Sequence, residues 1–403
     1  MTLAETEVYY DPFDNEIAID PYPVYQRLRD EAPVYYNEER DFYAFSRYAD
    51  VERGLSDRET FISGLGSTYE FIQAVKAGAE IPAGLFIFED PPQHTVHRSL
   101  VSRLFTPRRV TSLEPQIRDF CARALDPHIG VGRFDFVRNL GDQMPMRVIG
   151  MLLGIPDDDQ DSIRDQQRER TDDEETVADI DDFIEHSSRV FSDYIDWRAE
   201  HPSDDIMSQL LSAEIQDEKG VTRRLGRDEI LTYVSLINGA GTDTTRRLIG
   251  WAGKVLAEHP DQRRLLVENP GLISNAVDEL LRFEPPSYNV ARQAAQDVEV
   301  HGRMIPKGSV IMCLPGAANR DERRFADPDA FDVSREVGQI MTFGFGAHFC
   351  LGAALARMEG RIALEEVLKR FPDWEVDWDN AEMAITGADL RGWKSLPVFT
   401  DRS

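Results

Sequence analysis

Met341–Glu359 reads MTFGFGAHFCLGAALARME. One cysteine, Cys350, stands in a loop with Gly344, Gly346 and Gly352, and the loop runs straight into a helical pattern rich in small residues: Gly352, Ala353, Ala354 and Ala356. Glycines let a backbone turn sharply and approach a flat ligand without Cβ clashes. A thiolate at a helix N-terminus has its charge stabilised by free N–H groups and the macrodipole. Small residues in the first turns let the helix lie against a ring. The pattern suits a sulfur that ligates a metal held in a flat macrocycle. The competing reading of a lone cysteine is a buried small hydrophobe.

The run Phe343-Gly344-x-Gly346-x-His348-x-Cys350-x-Gly352 resembles, at every defined position, the haem-binding loop of the cytochrome P450 monooxygenases. The resemblance implies haem b as cofactor, Cys350 as the proximal thiolate, His348 as a donor near a propionate, and Phe343, Gly344 and Gly352 around the ring. Thiolate ligation pushes electron density onto iron and favours O–O cleavage.

The chain has 403 residues, enough for two or three domains by length alone. No Pro/Gly/Ser-rich linker, low-complexity tract or repeat divides it, so a single domain over 1–403 is expected, with a small β-rich part at about 30–60. The fold class that the resemblance implies is mainly α with small β-sheets, a long central helix crossing above the haem. Lys and Arg number 45 against 73 Asp and Glu, so the net charge is −28. That balance argues against nucleic acid and anionic membranes as partners. The dense acid runs, Asp157–Asp159 and Thr171–Glu175, read as solvated faces. Cys121, Cys313 and Cys350 are too few for a disulfide framework, which points to a reducing cytoplasm. The acidic start, MTLAETEVYYDPFDNE, is no signal peptide, and no stretch approaches about 20 apolar residues, so no membrane anchor is expected. A monomer is expected.

Pro21–Leu28 reads as a short amphipathic helix, and Val34–Tyr36 and Phe42–Phe45 as strands around Asn37–Arg40. Gly64–Phe88 carries apolar islands that suit either a satellite core or a ligand wall. His94 and Arg98 share a helical face after Asp90-Pro91-Pro92; the resemblance makes them propionate donors. Pro115–Gly154 reads as two helices about Gly130–Gly132, and Ser162–Glu200 as polar helices forming a lid, with sparse apolar positions such as Ile163, Val177, Val190 and Ile195.

Gly226–Glu258 reads as one helix of about 45 Å, capped by Gly226 and Glu229 and ended by Pro260. Its first half is apolar nearly all round and so buried. Asn238–Thr245, NGAGTDTT, weakens it with two glycines and three threonines. Glycines leave room for something close, Thr244 can bond back to the Ala240 carbonyl or hold a water, and a carboxylate at Asp243 is costly in a buried helix unless partnered or functional. A kinked helix with a solvent-facing acid is the alternative. The stretch resembles the family's acid–alcohol pair, which implies proton delivery by Asp243 and Thr244 over a haem faced by Ala240 and Gly241.

Glu279 and Arg282 stand three apart on a helix, and the resemblance joins Arg335 to them as a structural triad behind the Cys350 loop. It makes Arg292 a propionate ligand, and Asp389–Val398 the final hairpin with its tip at the pocket. Phe86, Ile237, Ala240, Tyr288, Asn289, Val290, Asp389 and Leu390 are the expected substrate wall. Asp389 departs from the apolar residue usual there, and either points away or binds a polar group of the ligand. The implied reaction is O2-dependent hydroxylation or epoxidation of a hydrophobic small molecule. A peroxide-driven peroxygenase and a non-catalytic haem-thiolate sensor are the alternatives, and retention of Asp243 and Thr244 argues against both. No electron-transfer module is evident in the chain. Arg98, Arg103, Arg108 and Arg109, with Arg357 and Arg361, suggest a basic patch for an acidic ferredoxin, itself reduced by a ferredoxin reductase with NAD(P)H.

Overall fold

The computed structural model describes residues 7–171, 180–216 and 220–400. One helix, Arg227–Glu258, runs unbroken for 32 residues, about 48 Å at 1.5 Å per residue. Gly226 precedes it in an extended conformation, and the Glu229 carboxylate accepts from the Gly226 N–H at 2.6 Å. Tyr233, Val234, Trp251, Val255 and Leu256 are among its fully buried residues. Removing side chains of this size from water contributes about 1.5–3 kcal/mol each. The Trp251 indole N–H donates to the Arg391 carbonyl at 3.2 Å, which fixes the C-terminal hairpin to the helix. The helix is continuous through Asn238–Thr245, so the glycines and threonines do not break it.

Around it pack Met144–Leu153, Ile180–Glu200 and the cysteine-proximal helix Ala353–Arg370, together with a single π-helical turn at Phe136–Gly141. The expected pair of helices in Pro115–Gly154 forms as Glu114–Leu125 and Met144–Leu153, but the strand Arg133–Asp135 and the π-helical turn stand between them. Within the expected lid, Ile163, Val190, Phe191 and Ile195 are buried in the main core. Val177 and the acid run at Asp172–Glu175 lie outside the described residues.

The expected N-terminal strands form as Val34–Asn37 and Phe42–Phe45, antiparallel with Val34 opposite Phe45. They are not a self-contained sheet. Val310–Cys313 pairs in parallel with Phe42–Phe45, Val290–Ala294 follows, and Phe61–Ile62 closes the order. Strands more than 200 residues apart in sequence thus make one five-stranded sheet, a pairing that local periodicity cannot reveal. The hairpin Glu382–Thr386 with Leu390–Ser395 forms a separate two-stranded sheet against the long helix. Cys121 and Cys313 are buried free thiols, as the absence of a disulfide pattern predicts. Among the described residues no helix is long and apolar enough to cross a membrane.

Candidate active site

The Cys350 loop is closed on itself by a 2.8 Å hydrogen bond from the Cys350 N–H to the Phe343 carbonyl. Gly344 and Gly346 both adopt φ of +68°, and a Cβ on Gly346 would lie 3.2 Å from the Leu55 carbonyl oxygen. The tight turn therefore requires glycine at that position. Cys350 stands three residues before Ala353, where the helix begins. Cys350 is exposed where it opens onto the cavity; the protein crowded around it pushes its thiol up, while the Gly352 N–H, Arg98 and Arg357 pull the other way.

Behind the loop, Glu279 and Arg282 are fully buried and paired at 2.7 and 2.8 Å, and Arg335 reaches Glu279 at 3.1 Å. Arg282 and Arg335 then donate to carbonyls of Asn319, Asp327, Pro328 and Ala330. Asn319 in turn accepts from the Met341 N–H at 2.7 Å and donates to Thr342 Oγ1 at 2.8 Å. The three ionic side chains thus brace the segment that enters the cysteine loop.

A cavity of about 370 Å³ opens between the loop and the middle of the long helix. Its walls include Cys350 and Gly352 on one side and Ala240, Gly241 and Thr244 on the other. His94 and His348 pack against each other at one edge, ring centroids 4.0 Å apart and planes tilted by 35°, and each has a buried Nε2 with no hydrogen-bond partner among the described residues. Burial, then Arg292, His94 and Arg98, push the His348 imidazole down to about 3, so it is neutral. Arg292 is buried nearby and donates to the Ala291 carbonyl, and Arg98 donates to the Phe349 carbonyl.

The sequence profile described as Cytochrome P450 matches residues 164–386. A protein named putative cytochrome P450 123 from Mycobacterium tuberculosis is 38% identical over 401 residues, covering 98% of each chain. The vitamin D(3) 25-hydroxylase of Pseudonocardia autotrophica is 36% identical, covering 99% of this chain and 98% of its own. Among solved structures, cytochrome P450 CYP109Q5 from Chondromyces apiculatus superposes with a TM-score of 0.84 at 31% identity and 97% coverage of both chains. CYP109E1 from Bacillus megaterium, solved with testosterone, gives 0.82 at 28% identity, covering 96% of this chain and 99% of that one.

The chain is a cytochrome P450. It is a monooxygenase of that family, its cofactor is haem b, and the residues present fit that group. The two buried imidazole nitrogens without partners, beside Arg98 and Arg292, are a donor set for carboxylates, which the haem propionates are. Gly344 and Gly352 line the cavity beside Cys350, with no side chain to fill the space a flat ring would need.

The P450 cavity collects Phe86, Ile237, Ala240, Gly241, Thr244, Val290, Arg98, Arg292, Phe343, Gly344, His348, Cys350 and Gly352 from the sequence-derived set. His94 lies just behind His348. Four expected wall residues are elsewhere. Tyr288 is buried in a cluster with Tyr10, Tyr25 and Phe42. Asn289 points to the Tyr10 hydroxyl at 3.3 Å and the Ala388 carbonyl. Leu390, in the hairpin, bridges to Ser287 in the segment before Val290, and neither it nor Asp389 is on the wall. The wall at that point is Pro286, Ser287 and Val290 instead. The segment has turned Tyr288 and Asn289 into the apolar cluster below it, an orientation that depends on tertiary packing.

Asp243 is off the wall as well. Its carboxylate pairs with Arg247 Nε at 2.9 Å and Arg246 Nη2 at 3.2 Å on the same helix, and Arg246 reaches Asp142. Burial pushes its carboxyl up, but the two guanidiniums outweigh this and hold it below the ordinary carboxylate range. The Thr244 hydroxyl faces the cavity and donates to the Ala240 carbonyl at 2.8 Å.

Sequence reading missed Glu359. It lines the cavity, is almost fully buried, and has one carboxyl oxygen without a partner; burial raises it well above the usual carboxylate range. A signal existed. Gly352, Leu355, Ala356 and Glu359 follow the three-and-four spacing of one helical face, and all four line the cavity. Ser67 and Ile87 are also on the wall, so Gly64–Phe88 supplies a ligand wall, while its Ile72 joins a satellite core.

Proposed function

We propose that this P450 hydroxylates or epoxidises an apolar small molecule, with electrons from a separate acidic ferredoxin and its NAD(P)H-dependent reductase. The observation that carries the reading is the cavity between Cys350 and the Ala240–Thr244 stretch, whose wall is chiefly hydrocarbon. Haem, when bound, supplies the reduction of O2 by two electrons and two protons, one oxygen atom entering the substrate and the other leaving as water. Cys350 would hold the iron through sulfur, and His94, Arg98, Arg292 and His348 would hold the propionates. Thr244 would release the Ala240 carbonyl and order a water on the oxygen side, and Asp243 would pass protons toward it, which is general acid catalysis through water. Phe86, Ile237, Ala240 and Val290 would shape the pocket. The steroid in one solved relative and the secosteroid named for another make sterol-like molecules the first class to screen, by displacement of the iron-bound water in the absorbance spectrum. A monomer in the cytoplasm, built as one domain, completes the proposal.

The test of the chemistry is Thr244→Ala. Substrate affinity is expected to stay near wild type, while product formed per electron consumed falls and hydrogen peroxide rises. A variant that couples as well as wild type would overturn the relay. The test of ligation is the reduced carbon monoxide complex, which should show the strongly red-shifted Soret band of a thiolate haem; a globin-like band from folded protein would overturn Cys350 as the ligand.

A further inference from the structure

Four charged side chains behind the cavity wall form one array between the long helix, the C-terminal hairpin and the helix Tyr69–Lys76. Arg247, with a side chain 1% exposed, donates from Nε to Asp243 and from its other two nitrogens to the Ala384 carbonyl at 3.3 Å and Thr386 Oγ1 at 3.0 Å on the hairpin. Gly392 on the facing strand leaves room for it, since a Cβ there would lie 2.8 Å from Arg247 Cγ. The hairpin tip is docked by Glu70, whose Oε1 accepts from the Ala388 N–H at 2.7 Å. A Cβ on Gly387 at the tip would lie 2.7 Å from Glu70 Oε1 and 3.6 Å from Asp389 Oδ1, so the two carboxyls flank one glycine. Glu70 Oε2 is buried without a partner. Asp389 stands beside Glu70 at the tip, and its charge is felt by Arg247 and Asp243 on the long helix. Tyr288, whose buried hydroxyl also lacks a partner, faces Asp389 from the segment before Val290–Ala294.

Two carboxyl groups, Asp243 and Asp389, thus act on one wedged guanidinium, and Glu70 acts on the second of them. We propose that Arg247 is a positioning residue whose hold on Asp243 is set by the charge of Asp389, so that the hairpin tip and the helix Tyr69–Lys76 are coupled to the proton-delivery acid. Burial and then Glu70 push the Asp389 carboxyl up to about 8. Neutral Asp389 lets the tip rest against Glu70 and leaves Arg247 to Asp243. Ionised Asp389 repels Glu70 and presents Arg247 with a second anion. The inference rests on Asp243 taking part in proton delivery.

The experiment measures product per NAD(P)H and the thermal midpoint of the holoenzyme on both sides of pH 8, in wild type, Asp389→Asn, Arg247→Gln and Arg247→Lys. Wild-type coupling should fall as pH rises through about 8, and Asp389→Asn should remove that fall. Arg247→Gln should couple poorly at every pH, and Arg247→Lys should recover part of the loss. The stability that Asp389 contributes is complete below its unfolded-state range and is gone once pH passes its folded value, so Asp389→Asn should flatten that descent in the thermal profile. The inference is overturned if Asp389→Asn follows wild type in both profiles, or if Arg247→Gln couples normally; should Arg247→Gln not fold, Asp389→Asn decides. If Asp243→Asn couples as wild type, proton delivery by Asp243 itself fails. If Asp243→Asn uncouples while Asp389→Asn keeps both wild-type profiles, the inference alone fails.

Discussion

At His348, burial leaves an imidazole with an unsatisfied nitrogen and three positive or polarisable neighbours, Arg292, His94 and Arg98. A buried polar atom without a partner costs about 1–3 kcal/mol, a cost that an anion beside it would offset. His348→Phe keeps the ring volume and removes the donor. Losing one hydrogen bond to a charged group is worth about 1.5–3 kcal/mol, which corresponds to haem release roughly 10- to 100-fold faster. Transfer of haem to a scavenging apoglobin, followed by absorbance, measures this. A wild-type release rate would show that the propionates are held by the arginines alone. The imidazole was legible in the sequence because it stands in the cysteine loop; its pairing with His94, more than 250 residues earlier, was legible only through the resemblance.

Among the elements, the brace of Glu279, Arg282 and Arg335 has the clearest energetic consequence. Glu279→Ala would strand Arg282, which is fully buried, without its carboxylate. Removing one partner of a buried ion pair typically costs about 3–5 kcal/mol. The denaturation midpoint of the holoprotein should fall accordingly, and the loosened segment should weaken haem retention as well. A loss within the range of an exposed pair, about 0–1 kcal/mol, would show that the brace is dispensable. Helix Arg227–Glu258 was legible almost to the residue, since its cap, its apolar run and its terminating proline are all local. The five-stranded sheet was not, because it joins Phe42–Phe45 to Val310–Cys313. The orientation of Tyr288 and Asn289 was not either, since alternation in a short segment does not say which face meets the cavity. A costly acid at Asp243 needs a partner, and the partners, Arg246 and Arg247, stand three and four residues on in the same helix, a spacing that the sequence itself displays.

For the whole molecule, a charge of −28 means that an acidic carrier is repelled from most of the surface. The arginine patch expected from the sequence is smaller in the fold. Arg109 is paired with Asp204, Arg357 with Asp278, and Arg361 with Glu114 and Glu365, because the neighbouring helices and loops bring acids to meet them. Arg98 donates to the Phe349 carbonyl beside Cys350. Arg103, directly after the helix Gln93–Ser102 that carries Arg98, and Arg108, on the next short helix Pro107–Ser112, are exposed. Phe349, next to Cys350 in the chain, is an exposed aromatic. These features put the positive charge that has no ion pair among the described residues and the approach to the cysteine loop on neighbouring segments. Steering by such a patch raises association rates by about tenfold or more at low ionic strength and fades as salt screens it. Reduction by an acidic ferredoxin should therefore slow as ionic strength rises. Arg103→Glu combined with Arg108→Glu should slow it by about tenfold at low salt and little at high salt. Arg357→Glu, which exchanges an already paired charge, should act chiefly through its contact with Asp278. Stopped-flow reduction under carbon monoxide across a salt series separates these cases. Rates that ignore both salt and the double substitution would remove the patch from electron transfer and direct the search for the carrier to an apolar contact around Phe349.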